Sequence, residues 1–327
     1  MARFLIRRTL QGLFVMWLMT VTVFLIFYVG PGRADVPRVL AGRQATAVQV
    51  AAVAHRLLLD RNIFVQYAHF LGLYRPPGLL QGNLGYSYYH SQSVNSVILA
   101  AFPITLSLVI GAAVLWLIVG LSTGIISAVK TRSLLDRAFT TLALTFYSMP
   151  TFVLGLLLIF FLFYILTNNG IHVFAAPNSY VSFATNPIRW AHVLILPWLT
   201  LALVTAATYT RLTRGSMLDV SGEDYIRTAR SKGMSERRLI LRHNLRSALT
   251  PVVTQFGIDV GVLIGGVVIT ETVFGLPGLG RTAIQSINQQ DLPVVIGVVI
   301  VASASVVVAN LLVDILYAVL DPRVRLH

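Results

Sequence analysis

Six long apolar runs, separated by polar segments, set the pattern of this 327-residue chain. A helix needs about 20 mostly apolar residues to cross roughly 30 Å of hydrocarbon, and each run approaches or exceeds that length. The pattern therefore predicts an all-α polytopic membrane protein with six transmembrane helices. The runs are Leu10–Val29, Leu106–Val129, Ala138–Leu166, Val193–Tyr209, Val252–Thr270 and Val294–Leu320.

The basic residues predict the orientation of these helices. Most of the 25 Lys and Arg residues precede the first run, connect the second to the third or the fourth to the fifth, or follow the sixth. The short loops on the other side contain only Arg189 and Arg281, so the positive-inside rule places both termini in the cytoplasm. The basic N-terminus resembles a signal peptide, but its apolar run is too long and lacks a small-residue cleavage site. We expect the first helix to be retained.

Composition supports a membrane environment and excludes several kinds of site. The chain is 56% hydrophobic and 11% charged, with a mean hydropathy of +0.77. It has no cysteine, which excludes disulfides and thiolate metal sites, and we expect no metal site. The net charge of +13 follows from the orientation, and the basic residues are not interleaved with aromatic residues that stack on bases. We expect contact with membrane lipid and no nucleic-acid partner.

Three regions follow from this topology. Residues 1–30 form the N-terminal anchor and first helix, residues 31–98 an extracytoplasmic cap, and residues 99–327 a core with a cytoplasmic loop at 213–250. In the cap, Val48–Leu59 has a helical pattern and Gly82–Tyr89 is rich in Gly and Tyr. Prolines mark three helices. Pro103 lies at the mouth of the second run, Pro150 interrupts the third and predicts a kink, and Pro197 opens the fourth.

A polar island in the cytoplasmic loop is the strongest candidate site. We expect a short helix with Ser221 as N-cap, acidic residues in its first turn and Gly233 as its end. The spacing of Ile226, Ala229 and Gly233 predicts an apolar ridge that a groove on another protein could receive. The alternative is a basic amphipathic segment that rests on anionic lipid. The candidate residues are Glu223, Asp224, Tyr225, Ile226, Arg227, Thr228, Ala229, Arg230, Lys232 and Gly233.

Polar residues inside two apolar runs are candidates for a translocation path. Gln255, Asp259, Asn310 and Asp314 lie within the fifth and sixth runs, where a carboxylate costs on the order of 3 kcal/mol on insertion scales. We expect these side chains to face water, a polar path or a partner. We favour a structural role for the two aspartates. The alternative is an ion relay through them. The stripe of Gly257, Gly261 and Gly265 predicts close helix packing.

The turn between the fifth and sixth runs lies outside the membrane in this topology. Its residues could contact a delivered substrate or its binding protein, or they could simply form a tight connection. Both interpretations remain open. The candidate residues are Glu271, Phe274, Pro277, Gly278 and Gly280.

Several motifs occur in a fixed order along the chain. The specific ones are Asp224–Gly233, Glu271–Gly280 and Leu320–Arg323. The weaker ones are Gly82–Ser87, Phe102–Leu106, Asp136-Arg137 and Ser148–Phe152. Together they resemble the permease subunit of a bacterial ABC importer of the dipeptide, oligopeptide and nickel subclass. The segments Arg227-Thr228-Ala229 and His243–Arg246 depart from the Glu-Ala-Ala and Ile-x-Leu-Pro elements of the wider family, in a way that resembles the peptide branch.

The resemblance implies a function and a set of partners. The short cytoplasmic helix would couple the permease to two ABC ATPase subunits, which bind ATP and Mg²⁺. A second homologous permease would complete the path, and an extracytoplasmic binding protein would deliver peptide, or nickel or another small solute. The protein would reside in the bacterial cell membrane.

Motifs for other functions are missing from the sequence. The chain has no Gly-x-x-x-x-Gly-Lys-Ser/Thr, so this chain would hold no ATP and carry no cofactor. It has no His-Glu-x-x-His or Gly-x-Ser-x-Gly, and its seven histidines are scattered, so we expect no catalytic residue and no enzyme activity. A more distant alternative is an ion-coupled secondary transporter that uses Asp259 and Asp314.

Overall fold

The computed structural model describes residues 2–29, 37–38, 46–56, 58, 61–74, 77–87 and 89–320. Most of these residues are helical, and their strands form one two-stranded antiparallel hairpin, in which β1 (Tyr86–Ser87) pairs with β2 (Gln92–Ser93). The predicted all-α architecture is confirmed at this level.

Helices α1 to α6 occupy the first half of the chain. Two of them, α1 and α6, continue directly into π-helical turns, and a short 3-10 turn at Leu79–Gln81 precedes β1. Their bounds are α1 Ala2–Phe24 with Leu25–Val29, α2 Ala47–Arg56, α3 Ile63–Leu71, α4 Val94–Val129, α5 Leu134–Ser148, and α6 Thr151–Leu158 with Ile159–Ile165 and Leu166–Asn168.

Helices α7 to α12 follow. The long helix α9 is continuous through three consecutive segments, of which the middle one is π-helical. The bounds are α7 Pro187–Ser221, α8 Asp224–Ser231, α9 Glu236–Arg238 with Leu239–Asn244 and Leu245–Gly266, α10 Val268–Phe274, α11 Leu279–Asn288 and α12 Leu292–Leu320.

Five helical segments of the described residues are long and apolar enough to span a membrane. They agree with five of the six predicted runs. The fifth run, Val252–Thr270, falls on α9 and α10 and is not among the five. The segments are Ile6–Val29, Val94–Val129, Thr151–Asn168, Pro187–Ser221 and Leu292–Ile315.

The predicted kink at Pro150 is a complete break between α5 and α6. Met149 and Pro150 have extended backbone, with ψ of 130° and 136°. Proline has no N–H to donate and disfavours a helical conformation in the residue before it, so the two helices cannot join here. The other two prolines do not open helices, because Pro103 and Pro197 lie inside α4 and α7. An apolar run marks the part of a helix that could lie in hydrocarbon. The helix itself can continue beyond the run into polar sequence.

The chain contacts divide into two compact units. The first contains residues 1–105 and 277–311, and the second contains residues 106–276 and 312–327. The regions predicted above, with boundaries at residues 30 and 98, are defined by membrane side and not by contacts within the chain. They stay a prediction. In the cap, α2 accounts for part of the predicted helix Val48–Leu59, whereas Leu57, Leu59 and Tyr88 lie outside the described residues.

An apolar core and a polar cluster organise the first unit. Its core joins the start of α4 to the start of α12, and Val94 and Val294 are completely buried there. The polar cluster ties the hairpin to the loop before α12. Asp291 accepts a hydrogen bond from the Ser87 hydroxyl and lies 3.1 Å from Nδ1 of His90. Because Asp291 is buried, these two contacts supply the polar partners that its carboxylate needs.

Close packing of α4 against α7 organises the second unit. A Cβ atom at Gly120 would lie 2.5 Å from Cβ of Tyr209, and one at Gly124 would lie 2.7 Å from Cβ of Thr213. These glycines are four residues apart and lie on one stripe of α4, as in other small-residue helix contacts in membranes. The sequence analysis missed this stripe and named Gly257, where a Cβ would lie 2.6 Å from Cγ1 of Val313.

We predict that Gly120→Ala and Gly124→Ala each lower the stability of the protein by about 1–3 kcal/mol, as overpacking typically does. The matched control is Gly215→Ala on α7, because nothing lies within 4 Å of a Cβ placed there. A helical Gly-to-Ala change without a clash should leave stability unchanged or raise it. Thermal unfolding in mild detergent measures the difference. Equal unfolding temperatures for all three variants would contradict the packing assigned to α4.

Candidate functional site

Helix α8 forms where the polar island predicted a short helix. Its N-cap is Glu223, with extended backbone (φ −68°, ψ 145°), and Asp224 lies in its first turn, where a carboxylate suits the positive end of the helix dipole. The predicted cap, Ser221, is instead the last residue of α7, and its hydroxyl donates to the carbonyl of Met217 at 2.7 Å. The prediction was wrong because α7 continues well past the apolar run that marked it.

The end of α8 depends on Gly233. This residue has φ of +77°, in the left-handed region that glycine adopts most easily, and its N–H donates to the carbonyl of Arg230 at 3.0 Å. The N–H of Met234 donates to the carbonyl of Ala229 at 3.3 Å. After this turn the chain enters α9, so the predicted order of helix, glycine break and second basic helix is present.

The predicted apolar ridge faces its own chain. Ile226 is 1% exposed and Ala229 is half-buried, and α8 packs against the π-helical turn of α9 and against α7. Ile226 is thus covered by its own chain, and docking of α8 on a partner protein stays a prediction. The spacing predicted an apolar face correctly, but spacing alone does not distinguish a groove on the same chain from a groove on another.

The surface left open by this packing is polar and strongly basic. We call it the basic surface. The side chains of Arg227 and Arg230 are 70% and 54% exposed, and Arg230 forms a bidentate ion pair with Glu236, with an Nε to Oε1 distance of 2.6 Å. This pair lowers the pKa of Glu236. The exposed members of the surface are Glu223, Asp224, Tyr225, Arg227, Thr228, Arg230, Lys232, Arg237, Arg238 and Arg242.

Hydrogen bonds join α9 to α7 and α8 to α9. The amide Nδ2 of Asn244 donates to the Met217 carbonyl at 3.2 Å and to the Ser221 hydroxyl, which ties α9 to α7. The hydroxyl of Tyr225 donates to Oγ of Ser247 at 3.0 Å, which ties α8 to α9. With Ile226 buried beneath it, α8 is held as part of a rigid protrusion and not as a loose loop.

A buried ion pair fixes α5 to α7 near the same protrusion. Asp136 is 4% exposed and binds Arg214 through two hydrogen bonds, of 2.8 Å from Nε and 3.1 Å from a terminal nitrogen. Its carboxylate also accepts from the backbone N–H of Arg132 at 2.9 Å. The hydrogen bond from Arg214 holds the pKa of Asp136 far below its usual value, despite burial, which acts in the opposite direction.

The four candidate path residues occupy two different helices. On α9, Nε2 of Gln255 donates to Oδ1 of Asp259 at 2.8 Å, and both side chains are half-buried. Asp259 also interacts electrostatically with Tyr209, whose ring is fully buried. On α12, Asn310 is exposed and Asp314 is half-buried, and Asp314 makes a polar interaction of its own. The structure thus pairs Gln255 with Asp259, as a structural role for Asp259 requires.

The outer-turn candidates are mostly buried. Glu271 and Phe274 lie on α10 and are 0% and 4% exposed, and Gly278 and Gly280 are buried at the start of α11. Pro277 is the exposed member of the five. This burial favours the interpretation of the segment as a tight connection, and contact with a substrate or binding protein stays a prediction. In the terminal motif Leu320–Arg323, residues 321–323 lie outside the described residues.

Within the described residues, no three His, Asp or Glu side chains are placed to hold a metal ion. The polar features of this part of the chain include the basic surface, the Asp136–Arg214 pair, the Gln255–Asp259 pair and the cluster of Ser87, His90 and Asp291.

The family of the chain follows from two matches. Residues 1–109 match the model described as the N-terminal part of a binding-protein-dependent transport system membrane component. Residues 120–326, more than half of the chain, match the model described as the inner membrane component of binding-protein-dependent transport systems. This chain belongs to that family. The resemblance drawn from the motifs and the expected location in the bacterial inner membrane are confirmed.

Two relatives align with this transport component over almost its full length. The chain is 36% identical over 325 residues to a probable peptide ABC transporter permease, y4tP of Sinorhizobium fredii, covering 99% of this chain and 100% of that protein. It is 37% identical over 325 residues to the glutathione transport system permease GsiC of Escherichia coli strain CFT073, covering 99% of each.

One solved structure shares the fold of the transport component. It is an inward-facing form of the MetNI methionine ABC transporter, with a TM-score of 0.51 over 69% of this chain and 96% of that chain. At 17% identity this likeness concerns the fold alone.

We predict that Asp136→Asn lowers the stability of the transport component by about 3 kcal/mol, the lower end for a broken buried ion pair, because Arg214 keeps some contact with water. Asp219→Asn on α7 is the control, since Asp219 is exposed. Thermal unfolding in detergent at pH 5 to 8 measures both. An aspartate with a lowered folded-state pKa contributes its stability above its unfolded-state pKa, so the difference should be constant over this range. Equal stability of the two variants would contradict the structural role of the Asp136–Arg214 ion pair.

Proposed function

We propose that this chain is the permease subunit of an ATP-driven importer of peptides. The observation that carries the proposal is its identity of more than a third, over 99% of its length, to permeases named for peptide and glutathione transport. Glutathione is itself a small peptide with free carboxylates, so both names point to the same cargo chemistry. Nickel or another small solute is the alternative cargo.

The proposed topology has six spans, with both termini in the cytoplasm. In this arrangement α9 supplies the fifth span and its N-terminal half, rich in Arg, remains on the cytoplasmic side. The positive-inside rule supports this placement, because the basic surface then lies entirely inside. The cap with its hairpin, and Asp291 in the loop before α12, would lie outside.

In the proposed mechanism α8 couples the permease to ATP hydrolysis. Two ATPase subunits would bind ATP and Mg²⁺ beneath this chain and a second, homologous permease, and a binding protein would deliver cargo from outside. The exposed arginines around α8 offer several donors for carboxylates on an ATPase, and its anchoring to α7 and α9 would transmit displacement to the spans. Since Ile226 is buried, we infer that the partner contacts the polar side of α8.

An ion-coupled mechanism through Asp259 and Asp314 has less support. The hydrogen bond between Gln255 and Asp259 gives one aspartate a local partner on the same helix. A relay would need a carboxylate that exchanges protons or ions with water. ATP-driven uptake by the assembled complex, in proteoliposomes without an ion gradient, would separate the two mechanisms.

We predict that Gly233→Val lowers peptide uptake per ATP hydrolysed by the reconstituted complex at least about threefold, because a β-branched residue is strained by roughly 1 kcal/mol or more at positive φ. Gly233→Asn is the matched control, since asparagine tolerates this conformation and nothing lies within 4 Å of a Cβ placed there. The control should transport normally. Normal coupling in the valine variant would remove the role assigned to this turn.

We predict a mild effect for Asp259→Asn. An amide can keep a hydrogen bond with Gln255, so uptake should fall less than about threefold, which is below 1 kcal/mol. Uptake and ATPase activity of the reconstituted complex measure this. Loss of all transport by a complex that assembles normally would instead favour the relay.

A further inference from the structure

The connection between α4 and α5 is followed by two exposed leucines. Residues 130–133 join the two helices. Leu134 and Leu135 come directly after this connection, and their side chains are 83% and 44% exposed. Single exposed apolar residues are common on protein surfaces, but an adjacent pair as open as this indicates a surface that a partner covers.

Three exposed basic residues lie close to this pair along the chain. Lys130 and Arg132 belong to the connection, and Arg137 lies three residues after Leu134, on the same side of α5. In the part of the chain that the structure describes, none of the three basic side chains forms an ion pair or a hydrogen bond. We call residues 130–137 the α4–α5 tip, and its free charge is positive.

Buried contacts fix the backbone of the α4–α5 tip. Arg132 has φ of +63°, in the left-handed region that a non-glycine residue adopts with strain. Its N–H donates to Oδ2 of Asp136 at 2.9 Å, and Oγ of Ser133 accepts from the N–H of Asp136 at 3.2 Å. The Asp136 carboxylate is in turn held by Arg214. The tip therefore presents its leucines and basic side chains in a defined arrangement.

The α4–α5 tip lies where an apolar helix ends. α4 is long and apolar enough to span a membrane, and Lys130 follows its last residue directly. Large exposed side chains near this end of α4 are apolar, at Ile118, Ile126 and Val129. The four residues of the connection extend at most about 14 Å, so the tip stays close to the same end. Apolar surface that needs lipid thus meets free positive charge that needs water or an anion.

We propose that the α4–α5 tip binds anionic phospholipid of the adjoining leaflet. Its two leucines enter the membrane interface, and its three basic side chains bind headgroup phosphates. Charge complementarity decides for lipid, because each basic residue near an anionic surface strengthens binding roughly fivefold and the leucines add apolar burial. The leaflet is the cytoplasmic one in the proposed topology, and the contact does not depend on the cargo. Since the buried ion pair ties the tip to α7, bound lipid also fixes α7 relative to the membrane surface.

The natural lack of cysteine allows a direct test of insertion. Leu134→Cys carries a nitroxide label in the full complex, in nanodiscs of phosphatidylcholine and phosphatidylglycerol, with no reactive cysteine on the other subunits. Collisions with oxygen, which dissolves in lipid, are compared with collisions with a water-soluble nickel chelate. The controls are Leu156→Cys on the apolar helix α6 and Asp219→Cys on α7, both exposed. We expect the oxygen-to-nickel ratio at Leu134→Cys to approach that at Leu156→Cys and to exceed that at Asp219→Cys at least about threefold. A ratio equal to that at Asp219→Cys would overturn the insertion.

The headgroup contact is tested with a fluorophore on Leu135→Cys and brominated lipids, which quench it on contact. We expect brominated phosphatidylglycerol to reach half-maximal quenching at a lipid fraction at least about fivefold lower than brominated phosphatidylcholine does. Replacing the three basic residues of the tip with Gln should abolish this preference. The matched control removes the same charge from α9 and should keep it, with Arg237→Gln, Arg238→Gln and Arg242→Gln. Equal quenching by both lipids, or a preference that survives the change in the tip, would overturn the headgroup contact.

An ATPase subunit is the competing occupant of the tip, and the nitroxide on Leu134→Cys distinguishes it from lipid. We expect the oxygen-to-nickel ratio to stay the same when the ATPase subunits are removed. Few collisions with either reagent in the full complex, and many once the ATPase subunits are gone, would assign the tip to the ATPase and overturn the lipid contact. Neither measurement requires uptake, so a complex that takes up no peptide would refute the proposed function and leave the lipid contact standing.

Discussion

The buried ion pair between Asp136 and Arg214 fixes the geometry on which the second unit depends. It joins α5 and α7 close to the point where α7 leads into α8, and it does so with two hydrogen bonds of defined direction. Desolvating two charges is costly, and burial is tolerated here because the carboxylate also accepts the N–H of Arg132. The pair therefore acts less as a source of stability than as a fixed register between two helices.

That register connects the proposed coupling surface to the proposed path. α7 contacts α5 through Arg214, leads into α8, and is tied to α9 through Asn244. A displacement of α8 by an ATPase would thus be passed to both neighbouring helices, since neither is free to slide on α7. The close contact of Gly120 with Tyr209 extends the same constraint to α4. A rigid connection of this kind would let the proposed ATPase partners act on the helices of this chain.

The features that were predicted correctly from the sequence are those that local physical rules govern. Apolar length located five helices long enough to span a membrane, a proline located the break at Pro150, and a glycine between two helical patterns located the positive φ of Gly233. The sequence did not predict which neighbour an apolar residue meets, so the burial of Ile226 was missed. Nor could it predict contacts between distant residues, such as Asp136 with Arg214, 78 residues apart, because no periodic pattern links them.

The basic residues of the chain show why charge counts alone do not assign a site. Three arginines near the end of α7 and the start of α8 have different environments. Arg214 is neutralised by a buried carboxylate, Arg227 faces solvent beside Asp224, and Arg211 lies on an aromatic ring. In the proposed topology all three lie toward the cytoplasmic side, and the positive-inside rule accounts fully for none of these contacts. Charge is the same in all three, so the contacts that each arginine makes, and not its sign, decide what it can do.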